Sequence, residues 1–179
     1  APASFRPDVF QNADGSEMDW KSTVPNGVAV GVPGTVRGWH DALSRYGTMG
    51  FEQVLAPAIR VAEDGFDIGP NFHRINTINE AKFARFSTAS ALYLKDGKAL
   101  AEGSHVRNPD MAQTLRDIAR GGVKAFYEGP IAASIVSAVS HPPTNPGVSV
   151  IPGDISMADL KDYEARVRQP IRSTYRGYE

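Results

Sequence analysis

Chemistry in this chain would have to come from a sparse set of side chains. The four histidines, His40, His73, His105 and His141, stand far apart, and none lies at a metal-ligand spacing from another histidine or a paired acid. Cysteine is absent, which removes thiol nucleophiles, disulfides and Cys-ligated zinc. Neither a metal nor a cofactor is assigned on these residues. Acids at Glu63-Asp64, Asp159, Asp162 and Glu164 fall on expected helix ends or faces, where solvated surface charge accounts for them without a catalytic pair. Serine and threonine are plentiful, yet neither a Gly-x-Ser-x-Gly elbow nor a Ser-x-x-Lys start occurs.

One stretch could bind an anion through its backbone. Gly31-Val32-Pro33-Gly34-Thr35 lies between an apolar run and a helical pattern, the place where successive amides can cradle a phosphate or carboxylate. It lacks the Gly-Lys-Thr/Ser ending of a P-loop and the three-glycine spacing of a dinucleotide fingerprint. A tight corner followed by a helix cap is the simpler reading.

The elements that must position these groups follow from periodicity. Val28, Val30 and Val32 alternate with small residues as in a buried strand, and Thr35 is placed to cap the helix that follows. Val36, Trp39, Leu43 and Tyr46 form its apolar stripe, and Gly47 supplies a left-handed stop. A second helix spans Phe51 to Asp64 with Pro57 inside it and Gly65 after it. A third starts at Gly69-Pro70. Ala91 to Leu94 reads as extended, turned by Asp96-Gly97. Asn108-Pro109-Asp110 starts a helix that faces Met111, Leu115 and Ile118 inward up to Gly121-Gly122, and Gly129-Pro130 starts another. Ser156 to Asp159 matches a capping box for a short helix burying Leu160 and Tyr163, and alternation of Val167 and Ile171 then returns to strand grammar.

Residues 1–179 read as a single partial domain with an irregular lead-in at 1–26 and a proline-rich, mobile loop at 141–155. The abrupt ends at Ala1-Pro2 and Tyr178-Glu179 lead us to expect a fragment, or one piece of a processed protein. With 41% hydrophobic and 22% charged residues the composition is ordinary for a globular chain. Nineteen basic against twenty acidic residues leave a formal net charge of -1, so no basic field for nucleic acid exists. No apolar run approaches the roughly 20 residues of a membrane span, and no signal-peptide pattern is present.

Several blocks together resemble one family. GVPGTVRGWHDALSRYGTM, FEQVLAPAIRVAEDGF, LRDIARGGVKAFYEGPIAASIV and ISMADLKDYEARVRQPIRSTYRGYE run in the order and approximate spacing of the large subunit of gamma-glutamyltranspeptidases. The resemblance implies a mainly α portion with a few short strands, from an α+β four-layer αββα fold of the N-terminal-nucleophile hydrolases. It implies a precursor that cleaves itself, and a partner small subunit whose new N-terminal threonine attacks γ-glutamyl substrates such as glutathione. It also implies export, to the periplasm or outside the cell. The family's substrate-carboxylate arginine sits just ahead of an Ala-Pro pair that Ala1-Pro2 resembles; Arg6 does not match its place. The resemblance therefore assigns no catalytic, substrate-binding or metal residue within this chain, which is expected to be silent alone. The stretch from Pro142 to Asp154 is longer and richer in proline than the family's link there. Two alternatives remain open at this stage: a cephalosporin acylase-like amide hydrolase of the same fold, and a non-catalytic helical interaction module.

Overall fold

Turn-forming residues dominate the lead-in, which the computed structural model, describing residues 1–178, shows as linked turns with one bridge between Gln11 and Glu17. A single helical turn follows, α1 (Trp20–Thr23), capped by the Asp19 carboxylate. The strand expected through Val28, Val30 and Val32 is replaced by a 3-10 turn at Gly27–Ala29 and an unpaired extended run to the corner. Alternation marks a residue pattern that suits a sheet, but a strand exists only beside a neighbour, and none pairs here among the described residues.

The helix α2 (Thr35–Tyr46) begins one residue earlier than a Thr35 cap would allow. Gly34 is its cap, and no side chain bonds from that position. Of the expected stripe, Val36 is buried and Leu43 half-buried, whereas Trp39 and Tyr46 are 45% and 84% exposed. The pattern records a face, not what covers it. Gly47 ends the helix in extended conformation (φ -87°, ψ 156°), so the left-handed stop does not occur.

In α3 (Phe51–Asp64) the helix continues through Pro57, which forgoes one backbone bond. Gly65 stops it with φ 92°, and a side chain there would also strike the His105 ring and the Val106 carbonyl. Two residues, β1 (Phe66–Asp67), lead to α4 (Pro70–Phe83), with proline at its first position. Ala91 to Tyr93 belong to a helix, α5 (Ser87–Tyr93), and not to the extended piece expected there. The tight turn is as expected: β2 (Leu94–Lys95) and β3 (Lys98–Ala99) pair around Asp96 and Gly97, both at positive φ. Glu80 of α4 accepts from the Ala99 amide and from Lys98 Nζ, each at 3.0 Å, clipping the hairpin down. The strand β4 (His105–Val106) then runs antiparallel to β1, with Phe66 opposite Val106 and Asp67 opposite His105.

The longest helix, α6 (Pro109–Tyr127), starts under the Asn108 cap, whose side chain accepts from the Met111 amide. It breaks at Gly122 (φ 60°, ψ -149°) and resumes to Tyr127. Ile118 is buried, while Met111, expected inside, is half exposed. Then come α7 (Pro130–Ser140) and α8 (Met157–Lys161), the latter with both halves of the Ser156/Asp159 capping box formed. Five helices share one core of Val36, Leu55, Ile118, Tyr127, Ala132, Val139, Ile155 and Leu160. Leu160 is fully buried, a contribution of about 1.5–3 kcal/mol from that side chain.

The loop after α7 is pinned. Asn145 donates from its amide to the Arg85 carbonyl and from its side chain to the Ala84 carbonyl and Ser90 Oγ, at 2.8–2.9 Å. The Ile151 amide donates to Asn26 Oδ1 at 2.9 Å, and the Gly153 amide to the Val139 carbonyl at 2.9 Å. Mobility expected from proline content is opposed by these long-range bonds. From Ala165 to Tyr178 the expected strand is absent; a bridge between Tyr175 and Tyr178 closes a turn, and Ile171 is 100% exposed.

Candidate functional site

The corner between the extended run and α2 is filled by the protein's own side chains. Tyr127, at the end of α6, donates its hydroxyl hydrogen to the Pro33 carbonyl at 2.8 Å and accepts from the Arg37 amide at 3.2 Å. The Arg37 amide is one of the first-turn donors that lack a partner within the helix. Tyr127 thus caps α2 from 90 residues away, where Gly34 has no side chain to do so. Its ring stacks parallel to Tyr163 with centroids 6.0 Å apart, and the Arg37 guanidinium lies 5.1 Å above the same ring. Burial pushes the Tyr127 hydroxyl above the ordinary tyrosine pKa. Glycine suits position 34, because a side chain there would meet the Tyr163 hydroxyl and push that ring aside. An anion entering this corner would find the Arg37 amide already bonded to Tyr127 and the Tyr163 hydroxyl against Gly34.

Beside the corner an open cleft of about 660 Å³ separates Val32 and Tyr163 from the first residues of the chain. Asp162, Glu164 and Arg166 rim it. Asp159 reaches across: one carboxylate oxygen accepts from the Ser156 amide and hydroxyl, the other from the Ala3 amide at 2.7 Å. The Ser156 hydroxyl, foremost, holds the Asp159 carboxyl below its usual pKa, with the Ala3 amide adding to the effect. Asp159 therefore stays an anion in the physiological range.

The histidines stay apart. His40 contacts Asp41 at 3.2 Å, His73 donates from Nδ1 to the Leu100 carbonyl at 2.8 Å, and His141 meets Ser140 Oγ at 3.0 Å. His105 bonds Asp67 through Nδ1 and the Asp64 carbonyl through Nε2, both at 2.8 Å. Both partners accept, so the two bonds form together only on a doubly protonated ring, the charged form they favour. The Asp67 bond, with the Asp64 carbonyl second, raises its pKa. Glu63 beside it pairs with Arg116 and accepts from Arg107 Nε through its carbonyl at 2.6 Å. Among the described residues no three histidines or acids come together as metal ligands.

Local pattern singles out no role for Tyr127, and for Asp159 it offers a capping box and solvated surface charge. The signal for Asp159 was present in the capping box; its second partner, 156 residues away, was not.

A family model for gamma-glutamyltranspeptidase matches residues 1–179. The chain is 32% identical over 179 residues to the glutathione hydrolase proenzyme of Bacillus subtilis (strain 168), covering 100% of this chain and 29% of that protein. It is 34% identical over 184 residues to the Acylase ACY 1 proenzyme of Pseudomonas sp. (strain V22), covering 100% of this chain and 31% of that protein. The crystal structure of Helicobacter pylori gamma-glutamyltranspeptidase superposes with a TM-score of 0.88 at 30% identity, over 99% of this chain and 48% of that one. The chain thus spans under a third of the length of both relatives.

Proposed function

The chain belongs to the gamma-glutamyltranspeptidase family, and from that premise we propose that it is scaffold of the large subunit of an enzyme that hydrolyses or transfers the γ-glutamyl group of glutathione and related amides. The observation that carries this reading is the family match along the whole chain, residues 1–179. The relatives named as proenzymes support a precursor that cleaves itself. The nucleophile is then the N-terminal threonine of a partner small subunit, its α-amine acting as base and backbone amides holding the oxyanion. The substrate's carboxylate is received by an arginine just ahead of the Ala1-Pro2 pair. In this chain the corner and α8 hold that region in place and supply no reacting atom.

The test has two arms. The isolated 179-residue chain is expected to leave a γ-glutamyl anilide uncut, and the product of the complete reading frame to cleave it once a threonine-led subunit has formed. Turnover by the isolated chain would overturn the scaffold reading. The 34% identity to an acylase supports a second reading, an amide hydrolase acting on a side chain such as that of a cephalosporin. Assaying both substrates side by side separates the two. Export to the periplasm or medium is part of the proposal, tested by fractionating the producing cells.

A further inference from the structure

A helix leaves its last four carbonyls without partners of its own, and in α3 they are filled almost wholly from another element. The Val61 carbonyl accepts from the Gly65 amide at 2.9 Å, but Ala62 accepts from the Asn108 amide at 2.8 Å. Glu63 accepts from Arg107 Nε at 2.6 Å and Asp64 from His105 Nε2 at 2.8 Å. Of these groups reaching over from residues 105–108, only the His105 ring changes charge near neutral pH. Its other nitrogen meets Asp67 Oδ1 at 2.8 Å, so one ring grips both sides of the turn at Gly65 and Phe66. Phe66 lies edge-on to Phe72 with centroids 5.3 Å apart. With Val106 it lines an open apolar groove of about 540 Å³ shared with Tyr93, Met111 and Leu115. We propose that His105 is a proton-operated clasp: its imidazolium holds the 64–67 turn against β4, and loss of one proton releases the turn and loosens Phe66 from the groove wall.

A neutral ring has one N–H. Donated to Asp67, it leaves the Nε2 lone pair facing the Asp64 carbonyl; donated to that carbonyl, it leaves the Nδ1 lone pair facing the Asp67 carboxylate. Either tautomer turns one attraction into a repulsion. The charged groups around the ring are Asp67 on β1, Glu63 and Asp64 at the end of α3, Arg107 after β4 and, paired with Glu63, Arg116 on α6. Asp67 favours the ring proton and Arg107 opposes it. The ring and Asp67 are 52% and 75% exposed, so the proton exchanges with water without further opening. The Asn108 and Arg107 bonds do not titrate with the ring, which confines the release to the turn. Because the Asp67 bond, foremost, raises the His105 pKa, the clasp is closed below the ordinary histidine value and opens as pH rises through the folded one.

The test is fluorine NMR on the product of the complete reading frame with para-fluorophenylalanine placed at position 66. Hydrogen exchange in peptides covering residues 61–68, corrected for the intrinsic effect of pH, is read alongside. The resonance is expected to shift with a midpoint above the ordinary histidine pKa, and exchange to quicken at least about twofold across it. Asp67→Asn, which keeps the ring, lowers the midpoint; His105→Gln, which takes up no proton, abolishes the transition. A resonance that does not move, a transition that survives His105→Gln, or a midpoint that Asp67→Asn leaves in place overturns the clasp. Should His105→Gln fail to fold, the midpoint in Asp67→Asn decides alone.

Discussion

Tyr127 and His105 do the same mechanical job in different surroundings. Each is an aromatic side chain that fastens the backbone of another element: Tyr127 joins the end of α6 to the start of α2, and His105 joins β4 to the end of α3. Tyr127 is wholly buried and makes neutral bonds whose loss would leave the part-buried Arg37 amide and Pro33 carbonyl without their protein partner. His105 is half exposed and makes charged bonds that water and salt can replace. Stronger electrostatics on paper therefore belong to the weaker fastening, because the alternative to the bond decides its worth.

Removing the buried fastening should break the comparison most visibly. Tyr127→Ala is expected to cost about 3–5 kcal/mol in urea unfolding, from lost packing and the cavity left under Tyr163. Tyr127→Phe keeps the ring and isolates the hydroxyl, at about 1–3 kcal/mol for the two unpaired backbone groups. A loss near zero for Phe would mean that water reaches the corner. The raised tyrosine pKa adds a direction: its stabilisation is complete below the ordinary tyrosine value and falls as pH climbs through the folded one, where the unfolded chain has already ionised. Next in size is Gly34→Ala, whose new methyl group meets the Tyr163 hydroxyl, at about 1–3 kcal/mol. Adding Tyr163→Phe should return part of that loss in a double-mutant cycle, and strict additivity would show the contact to be harmless.

The exposed fastening is a titration effect. Because the His105 pKa is raised, its contribution is full below the ordinary histidine value and is lost as pH rises through the folded one. An NMR titration of the His105 ring is expected to inflect above the ordinary value, and Asp67→Asn to bring it down. Exchange of the amides pairing β1 with β4 should quicken over the same pH interval. A His105 that titrates normally would remove the charged fastening from the comparison.

Which of these features the sequence disclosed depends on how far apart the partners are. Asn108 with Pro109, Gly65 after α3, the Asp96-Gly97 turn and the Ser156/Asp159 box are settled within a few residues, and each formed as its residues require. Thr35 looked like a cap by the same local logic, but the donor it would have served was taken by Tyr127, whose reach across 90 residues leaves no local trace. Ala91 to Tyr93 have strand-like types and became the end of a helix, where Tyr93 stacks near Phe83 at 4.9 Å and Phe72 at 6.3 Å. The family resemblance was legible because it is carried by order and spacing over the whole chain, and it left the seat of residues 1–4 on Asp159 to be found in three dimensions.

The smallest effect tests the strand that did not form. Ile171 is 100% exposed, so Ile171→Ser is expected to change the stability of the 179-residue chain by no more than about 0.5 kcal/mol. Val167 and Ile171 share one face if the segment is extended, and here they are 67% and 100% exposed. Buried strand residues of this size are worth about 1.5–3 kcal/mol each. If the rest of the proenzyme supplies a neighbouring strand, the same substitution there should cost an amount in that range. An equally small change in both proteins would make this stretch a surface segment, and the alternation a coincidence of composition.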